Sequence, residues 1–192
     1  MPDSSLLEVE DSLLIAIDIQ PGFVQKESKD GSDALLQRMC WVIKAANWLK
    51  VPLVITAEDI PRNGSVSDEV AELLLPGTKI YNKMTFGLAA QSDILAAVQQ
   101  TKRKTAVLIG YETDVCIAHS ALGLMDLRYR VAVVADATGS PGAAHQIGLE
   151  RIRGAGGIIL SAKSLFYEWL RTVEKSLEFA ALGIEPPDGM TM

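Results

Sequence analysis

Three side chains in this sequence could do chemistry together: the carboxylate of Asp18, the ammonium of Lys83 and the thiol of Cys116. A thiol can attack a carbonyl carbon, a carboxylate can move the protons, and a neighbouring cation favours the thiolate. Each residue closes or follows an apolar run: LLIAI before Asp18, KIYN before Lys83, and AVLI six residues before the segment VC that ends in Cys116. The pattern after Gly110 predicts a polar turn and then a helix, with Val115, Ala118, Leu122 and Met125 spaced along one face. Cys116 then falls in the first helical turn. Unpaired N–H groups there would lower a thiol pKa and could receive the oxyanion formed when sulfur attacks.

The elements that must position these groups follow from hydrophobic period and punctuation. Strands are predicted at 13–17, 51–56, 79–82 (ending at Lys83), 106–109, 131–135 and 158–160. Helices are predicted from Ser32-Asp33 as an N-cap into ALLQRMCWVIKAANWLK, over 92–100, after Cys116, up to about residue 153, and as one helix over 163–180. Gly110 is expected to break the fourth strand, residues 58–77 to be irregular, and the tail PPDGMTM to be loose. Alternating strand and helix predicts an α/β three-layer sandwich with a central, mainly parallel six-stranded sheet and helices on both faces. With no dividing linker or repeat, residues 1–192 read as a single domain with its core at about 12–180. In such sheets ligands bind outside the carboxyl ends of the strands, where Asp18, Lys83 and Cys116 all fall.

Composition narrows the partners. The 192 residues are 48% apolar and 22% charged, as in an ordinary globular chain, and the net charge of −6 opposes a nucleic-acid role. The basic clusters Lys102-Arg103-Lys104 and Arg128-Tyr129-Arg130 precede strands and read as solvated loop ends. The acidic start MPDSSLLEVEDS is unlike a secretory signal, and no apolar run approaches the roughly 20 residues of a membrane span. Two cysteines make no disulfide framework, so a reduced, cytoplasmic setting is expected.

The stretches LLIAIDIQPGF, YNKMTFG, VLIGYETDVCIAHSALGL and YRVAVVADATGS resemble the isochorismatase-like cysteine hydrolases. That family includes nicotinamidases, N-carbamoylsarcosine amidohydrolases and ureidoacrylate hydrolases. The resemblance implies that Cys116 is the nucleophile, Asp18 the general base and acid, and Lys83 the cation that orients the pair. It implies a cis peptide between Tyr111 and Glu112, a turn held by Thr113 and Asp114, and an oxyanion hole made by the N–H groups of Glu112 and Cys116. It also implies a homo-oligomer acting on a small-molecule substrate. Nicotinamidases carry metal-binding histidines after the second strand; here that region reads TAEDIPRNGS, so neither a metal nor a cofactor is expected. A nucleophilic cysteine directs the expectation away from isochorismate and towards an amide or ureido C–N bond. A vinyl ether, ester or nitrile on the same triad, or a silent binding protein of the same fold, are the alternatives.

Each residue also has a plainer reading. Asp18 could cap the Pro21-Gly22 turn, and Lys83 could be a solvated loop lysine. Cys40, between Met39 and Trp41 in a helix, reads as a small buried hydrophobe. Phe23, Phe86 and Tyr111 flank the three reactive residues and could wall a substrate pocket or pack beneath the turns. His119 reads as a packing or capping residue rather than a Cys-His partner, and His145 as an ordinary helix residue.

Overall fold

Continuous apolar runs with β-branched residues become strands here because both faces of the sheet are covered. A computed structural model describes residues 5–26 and 29–191. In chain order the elements are β1 (Ser12–Ile17), α1 (Pro21–Val24), α2 (Lys29–Trp48), β2 (Leu53–Glu58), α3 (Ile60–Asn63), α4 (Asp68–Ala71) and β3 (Ile80–Lys83). A 3₁₀ turn (Leu88–Ala90), α5 (Ser92–Gln100) and β4 (Thr105–Tyr111) follow. A five-residue π turn (Thr113–Ile117) leads into α6 (Ala118–Asp126), then β5 (Arg130–Gly139), α7 (Ala144–Gly154), β6 (Ile158–Leu160), α8 (Ala162–Leu170) and α9 (Val173–Ala180).

The strands form one six-stranded parallel sheet in the order β3-β2-β1-β4-β5-β6. Strand alternation divides the core. Leu14 and Ala16 of β1 face Trp41 of α2 and Phe166, Trp169 and Phe179 of α8 and α9, an aromatic layer. Leu13, Ile15 and Ile17 face Ile94, Val98, Ala121, Leu124 and Ile152 of α5, α6 and α7, an aliphatic layer. The chain winds outward from β1 to β3 and then crosses back to β4. The crevice between the carboxyl ends of β1 and β4 is therefore the switch point where this architecture places ligands.

Several expectations are corrected. Strand β4 does not stop at Gly110 but runs to Tyr111, with Gly110 at φ +119. A Cβ at Gly110 would lie 1.9 Å from the Ile17 carbonyl oxygen, so glycine is required by the close approach of β1. Helix α2 begins at Lys29, so residues 32 and 33 lie inside it rather than at its N-cap. The single helix expected over 163–180 is two helices. Arg171, at φ 65, ends α8, and the Thr172 hydroxyl caps α9 by accepting from the Lys175 N–H. The tail is not loose as far as residue 191: Pro187 and Met190 are buried, and the Arg38 guanidinium donates to the Asp188 carbonyl at 3.5 Å. The buried face of α6 is Ala118, Ala121 and Leu124, continued by Ile117 of the π turn, while Val115, Leu122 and Met125 are half-buried. The π turn brings Ile117, not Val115, into phase with the helix behind it.

Candidate active site

The residue after β1, Asp18, is wholly buried and held at φ 52, a left-handed conformation uncommon for aspartate. Its backbone is fixed by an N–H bond to the Thr56 carbonyl at 3.0 Å, and its carbonyl accepts from the Gln20 N–H at 2.8 Å. The Thr56 hydroxyl donates to Oδ1 at 2.8 Å, and Lys83 Nζ lies 2.9 Å from Oδ2. Lys83, the last residue of β3, reaches inward with no exposure of its own. It donates to the Thr85 carbonyl at 2.8 Å and stands 3.6 Å from Cys116 Sγ. Cys116 is 3% exposed. Asp18, Lys83 and Cys116 are thus brought together, on the carboxyl side of the sheet.

A fourth group joins them that the sequence reading had not placed in the site. Glu58 is the last residue of β2 and pairs in register with Lys83. Its Oε2 accepts from the Cys116 thiol at 3.4 Å and lies 3.7 Å from Lys83 Nζ. The buried Gln20 amide clamps it from behind: Oε1 accepts from the Glu58 N–H at 2.7 Å, and Nε2 donates to the Glu58 carbonyl at 3.0 Å and the Gly64 carbonyl at 2.7 Å. The second strand had been expected to end at Thr56, which put Glu58 in a loop. The TAE continuation of the strand was the available signal.

The turn that carries the thiol is pinned from outside. The Tyr111–Glu112 peptide is cis. The N–H groups of Val115 and Ile117 donate to the Glu112 carbonyl at 3.2 and 3.0 Å. Thr113 Oγ1 and His145 Nδ1 of α7 are 2.8 Å apart, and the Ser140 hydroxyl donates to Asp114 Oδ1 at 2.6 Å. Thr113 and Asp114 therefore bond to α7 and the end of β5 rather than within the turn, and His145 serves the site's scaffold instead of a plain helix surface. Helix α7 lies against the turn so closely that a Cβ at Gly148 would meet the Asp114 backbone at 2.7 Å.

The flanking aromatic residues separate. Tyr111 is 1% exposed and packs in the aromatic layer. Phe23 is half-buried under the Lys26 ammonium, 4.4 Å from its ring centre, and Lys26 reaches on to Glu112 Oε1 at 3.0 Å. Phe86 is exposed, with its ring edge-on to His119 at 6.3 Å, and His119 is itself exposed.

Electrostatics correct one expectation. Burial pushes the Cys116 thiol well above its ordinary value, and the Asp18 and Glu58 charges add to that push while Lys83 opposes it. Burial thus opposes the thiolate that a helix start would favour. Burial also raises Asp18 against the opposing Lys83 charge. Burial would lower Lys83, but the negative charges of Asp18, foremost, and Glu58 outweigh it and the amine is raised. The cluster sets the Lys83 ammonium between the Asp18 and Glu58 carboxylates, with the thiol donating to Glu58.

Carboxylate oxygens of Asp18 and Glu58 and the Cys116 sulfur lie within 4.8 Å of one another, a spacing that could ligate a cation. The Lys83 ammonium already stands 2.9 to 3.7 Å from all three, in the place such an ion would take. The set does not fit a resident metal. Among the described residues, no helix is long and apolar enough to cross a membrane.

A buried thiol, carboxylate and ammonium thus meet at the switch point of a parallel α/β sheet. The isochorismatase domain model matches residues 12–164, and this chain belongs to the isochorismatase family. It is 34% identical over 131 residues to the secreted isochorismatase effector Isc1 of Phytophthora sojae, a match covering 66% of this chain and 62% of that protein. It superposes on YcaC from Pseudomonas aeruginosa, solved with hexane-2,5-diol and covalent acrylamide, with a TM-score of 0.86 at 22% identity, covering 96% of this chain and 93% of that one. The Escherichia coli YcaC gene product, described as an octameric hydrolase of unknown specificity, gives 0.87 at 20% identity, covering 95% and 90%.

Proposed function

We propose that this isochorismatase-family hydrolase cleaves a small amide-type C–N bond through an acyl thioester on Cys116. The observation that carries the reading is the thiol's position, 3.6 Å from Lys83 Nζ and within 4.8 Å of an Asp18 carboxylate oxygen. As sulfur attacks the carbonyl, Asp18 accepts the thiol proton, and the raised affinity of the buried carboxyl suits it to hold that proton briefly. Lys83 stays charged and stabilises the thiolate as it forms. The N–H groups of Glu112 and Cys116 receive the oxyanion, in a turn that Thr113 and Asp114 tie to α7 and β5. Asp18 then returns the proton to the leaving nitrogen.

The test is intact-mass spectrometry of the protein incubated with small amides, ureido acids and esters, alongside Cys116→Ala. An acyl increment lost in Cys116→Ala, with ammonia or amine released, is the expected result. Product formed only from esters, nitriles or vinyl ethers would sink the C–N assignment. A second reading, a binding protein of the same fold without turnover, is favoured by the thiol's raised proton affinity. No adduct and no product across the panel would select it.

The same reading takes the chain as a homo-oligomer, supported by the octameric E. coli neighbour and by exposed Met84, Phe86, Val173 and Leu177. Light scattering on the purified protein tests it; a monomer mass at micromolar concentration would reject it.

A further inference from the structure

We infer that Glu58 is the base that activates water against the acyl-enzyme, a role separate from that of Asp18. The inference rests on the cysteine-hydrolase reading above. Of the four groups in the cluster, the Glu58 side chain is 23% exposed, while those of Lys83 and Asp18 are 0% and 1% exposed and Cys116 is 3% exposed. Asp18 Oδ1 accepts from the Thr56 hydroxyl and Oδ2 is ion-paired with Lys83 at 2.9 Å, both shut away from solvent. Asp18, wholly buried within 4.8 Å of the sulfur, suits a proton that starts on sulfur. Water enters from solvent after the amine has left, and the carboxylate facing solvent is Glu58.

The local architecture is built to aim this side chain. The Gln20 amide, completely buried, spends both its oxygen and its nitrogen on the Glu58 backbone, and Asn63 Nδ2 adds a bond to the same carbonyl at 3.2 Å. The next residue, Asp59, turns away at φ 41 to start α3. Pairing in register with Lys83 sets Oε2 at 3.4 Å from sulfur.

The step balances without any other reactant. Glu58 takes a proton from water as the hydroxide oxygen bonds to the thioester carbon. The tetrahedral adduct collapses, the C–S bond breaks, and the acid leaves. The expelled sulfur then recovers its proton from Glu58 Oε2, the atom it donates to at rest. Acylation is closed by Asp18 and deacylation by Glu58.

The experiment uses p-nitrophenyl acetate, whose nitrophenolate leaves without needing a proton, on wild type, Glu58→Gln and Glu58→Asp. Nitrophenolate release reports acylation, and intact mass reports the acetyl-Cys116 population. In Glu58→Gln the burst is expected to stay within about tenfold of wild type while deacetylation slows about 10²-fold and the acetyl-enzyme accumulates. Glu58→Asp, which keeps a carboxylate, is expected to restore part of the deacylation rate, an outcome a purely structural role would not give. Deacetylation of Glu58→Gln at the wild-type rate, with no accumulated adduct, would overturn the inference. If wild type forms no adduct at Cys116 at all, the cysteine-hydrolase reading itself falls, and this role with it.

Discussion

The two cysteines of this chain show what separates a nucleophile from a bystander. Cys40 lies in α2, half-buried, on the edge of a groove of about 660 Å³ shared with Trp41, Lys44, Glu69 and Glu72. Cys116 is more deeply buried, in a π turn at a strand end. By proton affinity the two are alike: burial pushes Cys40 up to about 11 and Cys116 further. Room and exposure favour the wrong one. Cys116 differs in having a carboxylate oxygen at 3.4 Å that accepts its hydrogen bond and an ammonium at 3.6 Å that would hold a thiolate. Reactivity at this site is a property of the neighbours.

The sharpest way to break that comparison is to remove each sulfur in turn. Cys116→Ala should lose the acyl adduct altogether and drop turnover to background, while Cys40→Ala keeps both. Adducts that vanish in Cys40→Ala instead would reverse the assignment. Next comes the proton acceptor: Asp18→Asn keeps the shape but cannot take the thiol proton, and should slow acylation by about 10²- to 10⁴-fold in a burst assay. A burst unchanged in Asp18→Asn would remove the carboxylate from the chemistry.

The cation can be tested through stability. Lys83 is fully buried against Asp18, so Lys83→Met strands a buried carboxylate and should cost about 3–5 kcal/mol in urea unfolding. The double variant with Asp18→Asn should recover much of that loss. Lys44, near Cys40, is exposed, and Lys44→Met should change stability by no more than about 0.5 kcal/mol. Equal losses at the two lysines would deny the special setting of Lys83.

Asp18, Lys83 and Cys116 were legible in the sequence because continuous apolar runs announce doubly covered strands, and parallel strands deliver their ends to one side of the sheet. Glu58 was not, because Ala57 and Glu58 extend β2 two residues past its apolar run, and only pairing with β3 makes them strand. His145 gave no local signal: its hydrogen bond to Thr113 spans 32 residues. The π turn was unreadable for a related reason, since its position is set by α7 packing on Asp114 through Gly148. The same packing explains why the expected inward stripe of α6 was displaced. The upward push on the thiol was not legible, because the burial and the second carboxylate that oppose a helix start appear only in the fold.

The smallest expected effect concerns alkaline stability, and it compares the two thiols directly. A thiol whose folded pKa is raised keeps its proton in the native state after the unfolded chain has lost it. The native state then binds more protons than the unfolded one, so stability falls as pH rises through that interval. For Cys40 the interval runs from the ordinary 9.0 to about 11. For Cys116 it opens at the same 9.0 and extends higher. Lys83, also raised, adds a loss of the same sign above its ordinary 10.5. Urea midpoints at pH 8, 9, 10 and 11 should therefore decline in wild type. Cys40→Ala, whatever its constant packing cost, should flatten the decline between pH 9 and 11 and run parallel to wild type above it. Cys116→Ala should flatten it from pH 9 to the top of the range. A Cys40→Ala curve parallel to wild type from pH 8 onward would mean that burial does not set that thiol, and the likeness of the two sulfurs in proton affinity would be gone.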